Sequence, residues 1–289
     1  MTENKMKASR SEFIEVRGLR YHLRIWGDDA APTIVLLHGW MDVSHSFQFV
    51  VDGLQKDWRV IAPDMRGFGL TQWSDSDYWF PEYYADLDAI FDQVSDGQPL
   101  HLAGHSMGSQ VASMYAGVRP ERISKLVILD GLNVPDMPAE SAPKKIRKWL
   151  DEIKTPQKHK DYADFAELAQ RIRKHHDRLS EARALHVAQG WGQENTEGRV
   201  ELVGDPKHRI MGPSLYRLAE AEAVWQQVTA PTLCIDGGKS GMFRMLGEDE
   251  VKRRRAVFTN AKTVVLPEAG HMLHFDAPEA VAGEIEAFL

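Results

Sequence analysis

Leu100-His-Leu-Ala-Gly104-His105-Ser106-Met107-Gly108-Ser-Gln-Val-Ala-Ser-Met-Tyr-Ala116 is the stretch on which the reading of this chain turns. Leu100 to Ala103 is an apolar run too short for a buried helix and long enough for a buried strand. It leads into Gly104 without a linker, and from Met107 to Val118 the pattern is helical. A serine is therefore expected at the tip of a sharp strand-to-helix turn. Gly-x-Ser-x-Gly by itself arises by chance in roughly one chain in ten at average glycine and serine usage, so the flanking elements carry the inference. Glycines at 104 and 108 suit a turn whose backbone is strained and whose sides are crowded. Ser106 falls at a helix N-terminus, where backbone N–H groups favour negative charge.

Outward from this turn, short apolar runs alternate with longer amphipathic segments, the order of parallel strands joined by crossover helices. Strands are expected at Thr33 to Leu37, Arg59 to Ala62, Leu100 to Ala103, Lys125 to Leu129, Thr232 to Ile235 and Lys262 to Leu266, with a hairpin from Phe13 to Trp26 turning at Arg17-Gly18. Pro81 to Val94 and Pro278 to Phe288 read as helices. The alternation breaks from about Asn133 to Met211, where no strand-like run occurs and charged helices, including Ala142 to Ile153 and Tyr162 to His175, are expected. The implied organisation is a core of residues 1–132 and 213–289 with an inserted helical cap, 133–212. That break segment, 133–211, carries 15 Lys and Arg against 13 Asp and Glu, a net +2, which leaves −9 on the rest of the chain. Solvated helix faces account for these charges, and the same reading applies to Lys252-Arg-Arg-Arg255.

The 289 residues, 43% of them hydrophobic, suffice for one large domain with an insertion. A net charge of −7 lacks the basic footprint of a nucleic-acid binder. The polar N-terminal segment has no apolar stretch of the secretory kind, and no run approaches the roughly 18 apolar residues of a membrane span. A cytoplasmic protein with no membrane partner is expected. The single cysteine, Cys234, excludes an internal disulfide and a thiolate-rich metal site, and His159, His175 and His176 lack metal-ligand spacing. Neither a metal nor a cofactor is expected.

Two further loops belong with Ser106. Ile34-Val-Leu-Leu-His38-Gly39-Trp40 is an apolar strand running into His-Gly. The backbone N–H groups of Trp40 and Met107 form the natural pair to hold an oxyanion, Gly39 lets the loop approach a substrate, and His38 braces the loop. Gly270-His271 follows the last strand and precedes the final helix, which places His271 to take the proton of Ser106 and return it to a leaving group. His38, Gly39 and His105 are candidate substrate-contacting positions; His274 lies close enough to pack or bind.

Taken together, His38-Gly39-Trp40, Asp64-Met-Arg66-Gly67-Phe-Gly69, Gly104-His-Ser106-Met-Gly108 and Gly270-His271 resemble successive landmarks of the α/β-hydrolase superfamily. The resemblance spans nearly the whole chain. It implies an eight-stranded, mostly parallel sheet flanked by helices, a helical cap after the sixth strand, and a Ser, His and acid set. Asp64 and Arg66 match a structural turn of the family. The acid is the departure: many members carry it after the seventh strand, and the matching stretch here, Pro231-Thr-Leu-Cys-Ile-Asp236-Gly-Gly-Lys-Ser240, has serine at that position. A hydroxyl cannot supply the negative charge that orients and stabilises an imidazolium. Asp130, ending the sixth strand, is the preferred acid, as in some members; Asp236, or no functional acid, remains open.

A serine at position 106 excludes the aspartate-nucleophile branches, haloalkane dehalogenases and related epoxide hydrolases. The expected activity is hydrolysis of a small-molecule carboxylic ester, lactone or thioester through an acyl-enzyme. Carbon-carbon bond hydrolases and cofactor-free haloperoxidases share the constellation, and a non-catalytic binding protein is the third possibility.

Overall fold

The structure, a computed structural model, describes residues 6–155 and 157–289. Its strands are β1 (Ser9–Val16), β2 (Leu19–Trp26), β3 (Thr33–Leu37), β4 (Arg59–Pro63), β5 (Leu100–His105), β6 (Ile123–Leu129), β7 (Gly192–Glu194), β8 (Val200–Leu202), β9 (Thr232–Gly237) and β10 (Ala261–Leu266). Eight of them form one sheet in the order β1-β2-β4-β3-β5-β6-β9-β10. β1 and β2 are antiparallel, and β2 joins β4 antiparallel, whereas the neighbours from β4 through β10 run parallel. In the β1-β2 hairpin Val16 pairs with Leu19, which leaves Arg17 and Gly18, with φ of 49° and 80°, as the two-residue turn. Positive φ at both positions gives the twist that antiparallel strands need.

The central strands are apolar at consecutive positions because the sheet is covered on both faces. Side chains alternate between the faces, so Val35 and Leu37 join one core cluster while Ile34 and Leu36 join the other. Helices α1 (Gln48–Gly53), α2 (Phe80–Val94) and α3 (Met107–Val118) follow in the first half of the chain. Phe91 of α2 and Tyr115 of α3 pack on the first cluster.

Between β6 and the second half of the sheet the chain inserts α4 (Ala142–Glu152), α5 (Phe165–His175), α6 (Glu181–Trp191) and the pair β7-β8. Asp164 and Ser180 cap α5 and α6 by accepting from Glu167 N and Arg183 N. The expectation of a strand-free insertion is corrected here. Three-residue strands carry too short a pattern to read, and they are held by an isolated bridge from Tyr162 to Val200 and by a buried cluster containing Tyr162, Leu168, Ile172 and Val200. The chain closes through α7 (Leu218–Trp225), α8 (Gly241–Leu246), α9 (Glu248–Arg255), α10 (Leu273–Asp276) and α11 (Pro278–Phe288). No helix among the described residues is long and apolar enough to cross a membrane.

Candidate active site

β5 delivers Ser106 to the turn before α3 with φ 50° and ψ −110°. Such a conformation costs a non-glycine residue on the order of 1–3 kcal/mol and persists only when the surroundings enforce it. The Ser106 N–H donates to the Leu129 carbonyl of β6 (3.0 Å), and Gln110 N–H closes onto the Ser106 carbonyl (3.2 Å). The flanking glycines are required sterically: a Cβ at 104 would lie 2.3 Å from the Gly108 carbonyl oxygen, and one at 108 would lie 2.2 Å from that of Leu37. Met41, Asp130 and Leu132, which also have positive φ, lie at the same C-terminal edge of the sheet. Backbone strain is concentrated where the loops converge on Ser106.

His271, on the loop between β10 and α10, places Nε2 3.0 Å from Ser106 Oγ and Nδ1 2.5 Å from Asp130 Oδ2. In the neutral ring Nδ1–H donates to the carboxylate, and Nε2 is left to accept from the serine hydroxyl. The Asp130 side chain is fully buried, at the end of β6. Its burial is compensated by donors: Gly237 N–H to Oδ1 (3.0 Å) and Ser240 Oγ–H to Oδ2 (2.6 Å), besides the imidazole.

Asp236 faces elsewhere. Its carboxylate takes both Nη2 (2.7 Å) and Nε (3.2 Å) of Arg255, which also donates to the Gly131 carbonyl (2.8 Å). Arg254 donates to the carbonyls of Leu132 (2.8 Å) and Val134 (2.7 Å). The reading of Lys252 to Arg255 as a solvated face is therefore corrected: Arg254 and Arg255 are buried and brace the chain as it leaves Asp130. A signal was present in Asp236, an acid inside a buried strand that demands a cationic partner.

The loop after β3 runs beside the serine. A Cβ on Gly39 would lie 3.4 Å from Ser106 Cβ and 2.9 Å from His105 Nδ1, so the backbone of 39 approaches as closely as the serine turn allows. Trp40 is exposed, and Met107 opens α3. His38 and His105 are buried behind this surface rather than on it, and their assignment as substrate contacts is corrected to bracing. His38 Nδ1–H donates to the Gly39 carbonyl (2.8 Å) and its Nε2 accepts from Met65 N–H (2.9 Å). His105 Nε2–H donates to the carbonyl of His271 itself (2.8 Å). Burial, reinforced by His274 and His271, holds the His105 imidazole well below its ordinary pKa and so neutral.

Asp42 is the functional neighbour that the sequence reading missed. It accepts from Trp191 Nε1 (2.8 Å) on the inserted segment, from Val43 N (2.9 Å) and from the Ser46 hydroxyl, and its other oxygen meets His274 Nε2 (3.1 Å). Burial pushes this carboxyl upward, but His274, His38 and Ser46 outweigh it and hold it ionised. Potential ligand atoms of Asp42, His105 and His274 lie within 4.8 Å of one another, the spacing of a candidate metal group. The donors already on Asp42 commit its carboxylate to an internal brace, while Nδ1 of His105 and Nδ1 of His274 are buried without a hydrogen-bond partner. Around it the seam to the inserted segment is packed; a void lined by Met41, Val43, Phe68, Trp191, Leu202 and Val203 measures about 10 Å³, at the limit for one water. Asp64, in the turn after β4, bonds His22 Nδ1 (2.7 Å), Ser44 N (2.7 Å) and Leu70 N (2.9 Å), a structural hub away from Ser106.

A serine, a histidine and a buried aspartate in hydrogen-bonded line, at the carboxyl edge of a mostly parallel sheet with helices on both faces, define the hydrolase class of α/β proteins. The family model of the alpha/beta hydrolase fold matches residues 32–278, and the chain belongs to that family. Among its relatives, a serine hydrolase-like protein of Danio rerio is 27% identical over 100% of this chain and 91% of its own length. An sn-1-specific diacylglycerol lipase, ABHD11, of Mus musculus is 26% identical over 94% of this chain and 85% of its own. A solved thioesterase domain from the curacin biosynthetic pathway superposes with a TM-score of 0.87 at 27% identity, covering 96% of this chain and 99% of that domain. Serine hydrolase-like, lipase and thioesterase relatives thus surround the chain.

Proposed function

We propose that the protein is a serine hydrolase that cleaves a carboxylic ester, or the thioester counterpart, through an acyl-enzyme. The observation that carries the reading is His271, bonded at Nε2 to Ser106 Oγ and at Nδ1 to Asp130. Ser106 Oγ attacks the carbonyl carbon while His271 Nε2 takes its proton, and Asp130 holds the ring in the required tautomer and balances the imidazolium. The carbonyl oxygen, now negative, is held by the N–H groups of Trp40 and Met107. His271 returns the proton to the departing alcohol or thiol. His271 then takes a proton from the water that attacks the acyl carbon, and returns it to Ser106 Oγ as the Oγ–acyl bond breaks and the carboxylic acid leaves. The inserted segment, 133–212, acts as the cap over this site, and Asp236 serves structure through Arg255.

The test is a fluorophosphonate probe with p-nitrophenyl and acyl-thioester panels of increasing chain length. Native protein is expected to be labelled and to turn over esters, and Ser106→Ala to do neither. A native protein that stays unlabelled and inactive across both panels would identify a non-catalytic relative instead.

A further inference from the structure

Helix α4 breaks the rule that an amphipathic helix hides its apolar stripe. Ala142, Ile146, Trp149, Leu150 and Ile153 recur at helical spacing on one face, yet α4 has no buried residue. Ile146 and Leu150 are each 43% exposed and Ile153 is 41% exposed. Further exposed apolar residues adjoin α4. Trp149 approaches Trp79, with ring centroids 6.4 Å apart, and the backbone N–H of the exposed Met211 bonds Glu152 of α4 (3.2 Å). Trp40, 54% exposed, bonds through its indole N–H to the carbonyl of His208 (3.4 Å), three residues before Met211. Trp40 follows Gly39, which lies against Ser106, so one of these exposed apolar side chains borders the proposed nucleophile.

Charge identifies what this rim faces. Residues 142–160 hold seven Lys and Arg against two acids, a net +5 in a chain of −7. Lys144, Arg147 and Lys148 are exposed on the polar side of α4. A basic helix with Trp, Leu and Ile on its other face, exposed beside further tryptophans, has the chemistry of a helix lying in a membrane interface. The lack of a spanning segment does not bear on such peripheral binding.

We propose that α4 and the aromatic rim dock on an anionic lipid surface and present the mouth of the Ser106 site to it, so that the substrate class is an ester partitioned into that surface. The second half of this proposal rests on the hydrolase reading; the docking itself does not. The experiment is flotation of the full-length Ser106→Ala protein with vesicles of phosphatidylcholine alone and of phosphatidylcholine with about 30% phosphatidylglycerol, read beside its size in solution. Co-flotation is expected with the anionic vesicles only, falling at least about fivefold from about 50 to about 300 mM salt as the Debye length shortens. It should fall by about fivefold or more again in Lys144→Glu/Lys148→Glu and in Ile146→Ala/Leu150→Ala, whose altered side chains are exposed and leave the core intact. Equal binding to neutral vesicles, no flotation with either, or a stable dimer that hides the rim would each overturn the docking. Fluorophosphonate labelling of native protein is independent of these outcomes: labelling without flotation removes the docking alone, and flotation without labelling removes the hydrolase reading alone.

Discussion

Ser240 Oγ donates to Asp130 Oδ2 across 2.6 Å, so the hydroxyl at the position where many members of the family carry the acid instead solvates the carboxylate that follows β6. The two positions, 110 residues apart in sequence, meet at the ends of neighbouring strands, β6 and β9. Removing that donor by Ser240→Ala deletes a hydrogen bond to a charged group, about 1.5–3 kcal/mol in stability terms, while Gly237 N–H and His271 remain. The expected result is a kcat reduced about two- to tenfold, because a carboxylate that has lost one donor holds the imidazole less firmly, together with a lower Tm. Native kcat and native Tm in steady-state kinetics and calorimetry would show that Ser240 does not support the carboxylate. Moving the carboxylate, by Ser240→Asp in an Asp130→Asn background, should restore part of the rate.

The two candidate acids should fail differently. Asp130→Asn keeps the shape of the site but favours the wrong imidazole tautomer, and a loss in kcat of about 10³–10⁴ is expected with a modest change in Tm. Asp236→Asn instead leaves Arg255 buried without its charge partner, a loss of about 3–5 kcal/mol that calorimetry reads as a large drop in Tm. Any residual folded Asp236→Asn protein should turn over with kcat near the native value. The reverse pattern, with Asp236→Asn stable and inactive, would move the acid.

The strands, the serine turn and the position of His271 were legible because each depends on local pattern: Thr33–Leu37 and Pro278–Phe288 appear with the expected bounds. Ser106 and Asp130 were readable as strand ends at the same edge of the sheet, and the preference for Asp130 as the acid came from the family resemblance. What was not legible depended on partners distant in sequence. Arg254 and Arg255 look like a charged helix face until Asp236 and the carbonyls after β6 are brought against them. His38, read both as a brace of its loop and as a candidate substrate contact, keeps only the first role, and His105 is buried behind the site surface. Asp42 gave no signal at all, because its meaning comes from Trp191, 149 residues later.

Trp191 is the contact by which the inserted segment reads out this buried network. Its indole N–H donates to Asp42 Oδ1 (2.8 Å) and to Ser46 Oγ (3.0 Å), while Asp42 holds His274, whose ring lies 4.5 Å from that of His105. Trp191→Phe keeps most of the packing and removes the donor, at about 1–3 kcal/mol. A fall in Tm of about 2–10 °C is expected for a chain of this size, together with a rise in KM as the proposed cap loosens. Scanning calorimetry and steady-state kinetics check both; a variant with native Tm and KM would mean that Trp191 does not anchor the segment.

Acid should weaken the same seam through histidines that the fold keeps neutral. His208 lies between Phe68 and Tyr78, with ring centroids 3.8 Å from each, and burial pushes its pKa down to about 3 against the opposing pull of Asp205. His45 is likewise pushed to about 3 by burial and by His186 stacked on it. In the unfolded chain both rings titrate near about 6.5. The unfolded state therefore binds more protons between those values, so the stability tied to each neutral ring is fully present above pH about 6.5 and is lost as pH falls toward 3. At about pH 4.5 each costs up to about 2–3 kcal/mol. Asp64, held at about 2, adds its own loss only below about pH 3.8 and leaves this window to the histidines. His208→Phe preserves the aromatic stack and deletes the titration. Tm measured from about pH 7 to about pH 4.5 should then fall less steeply than in the native protein, and equal slopes would show that His208 takes no part in the acid response.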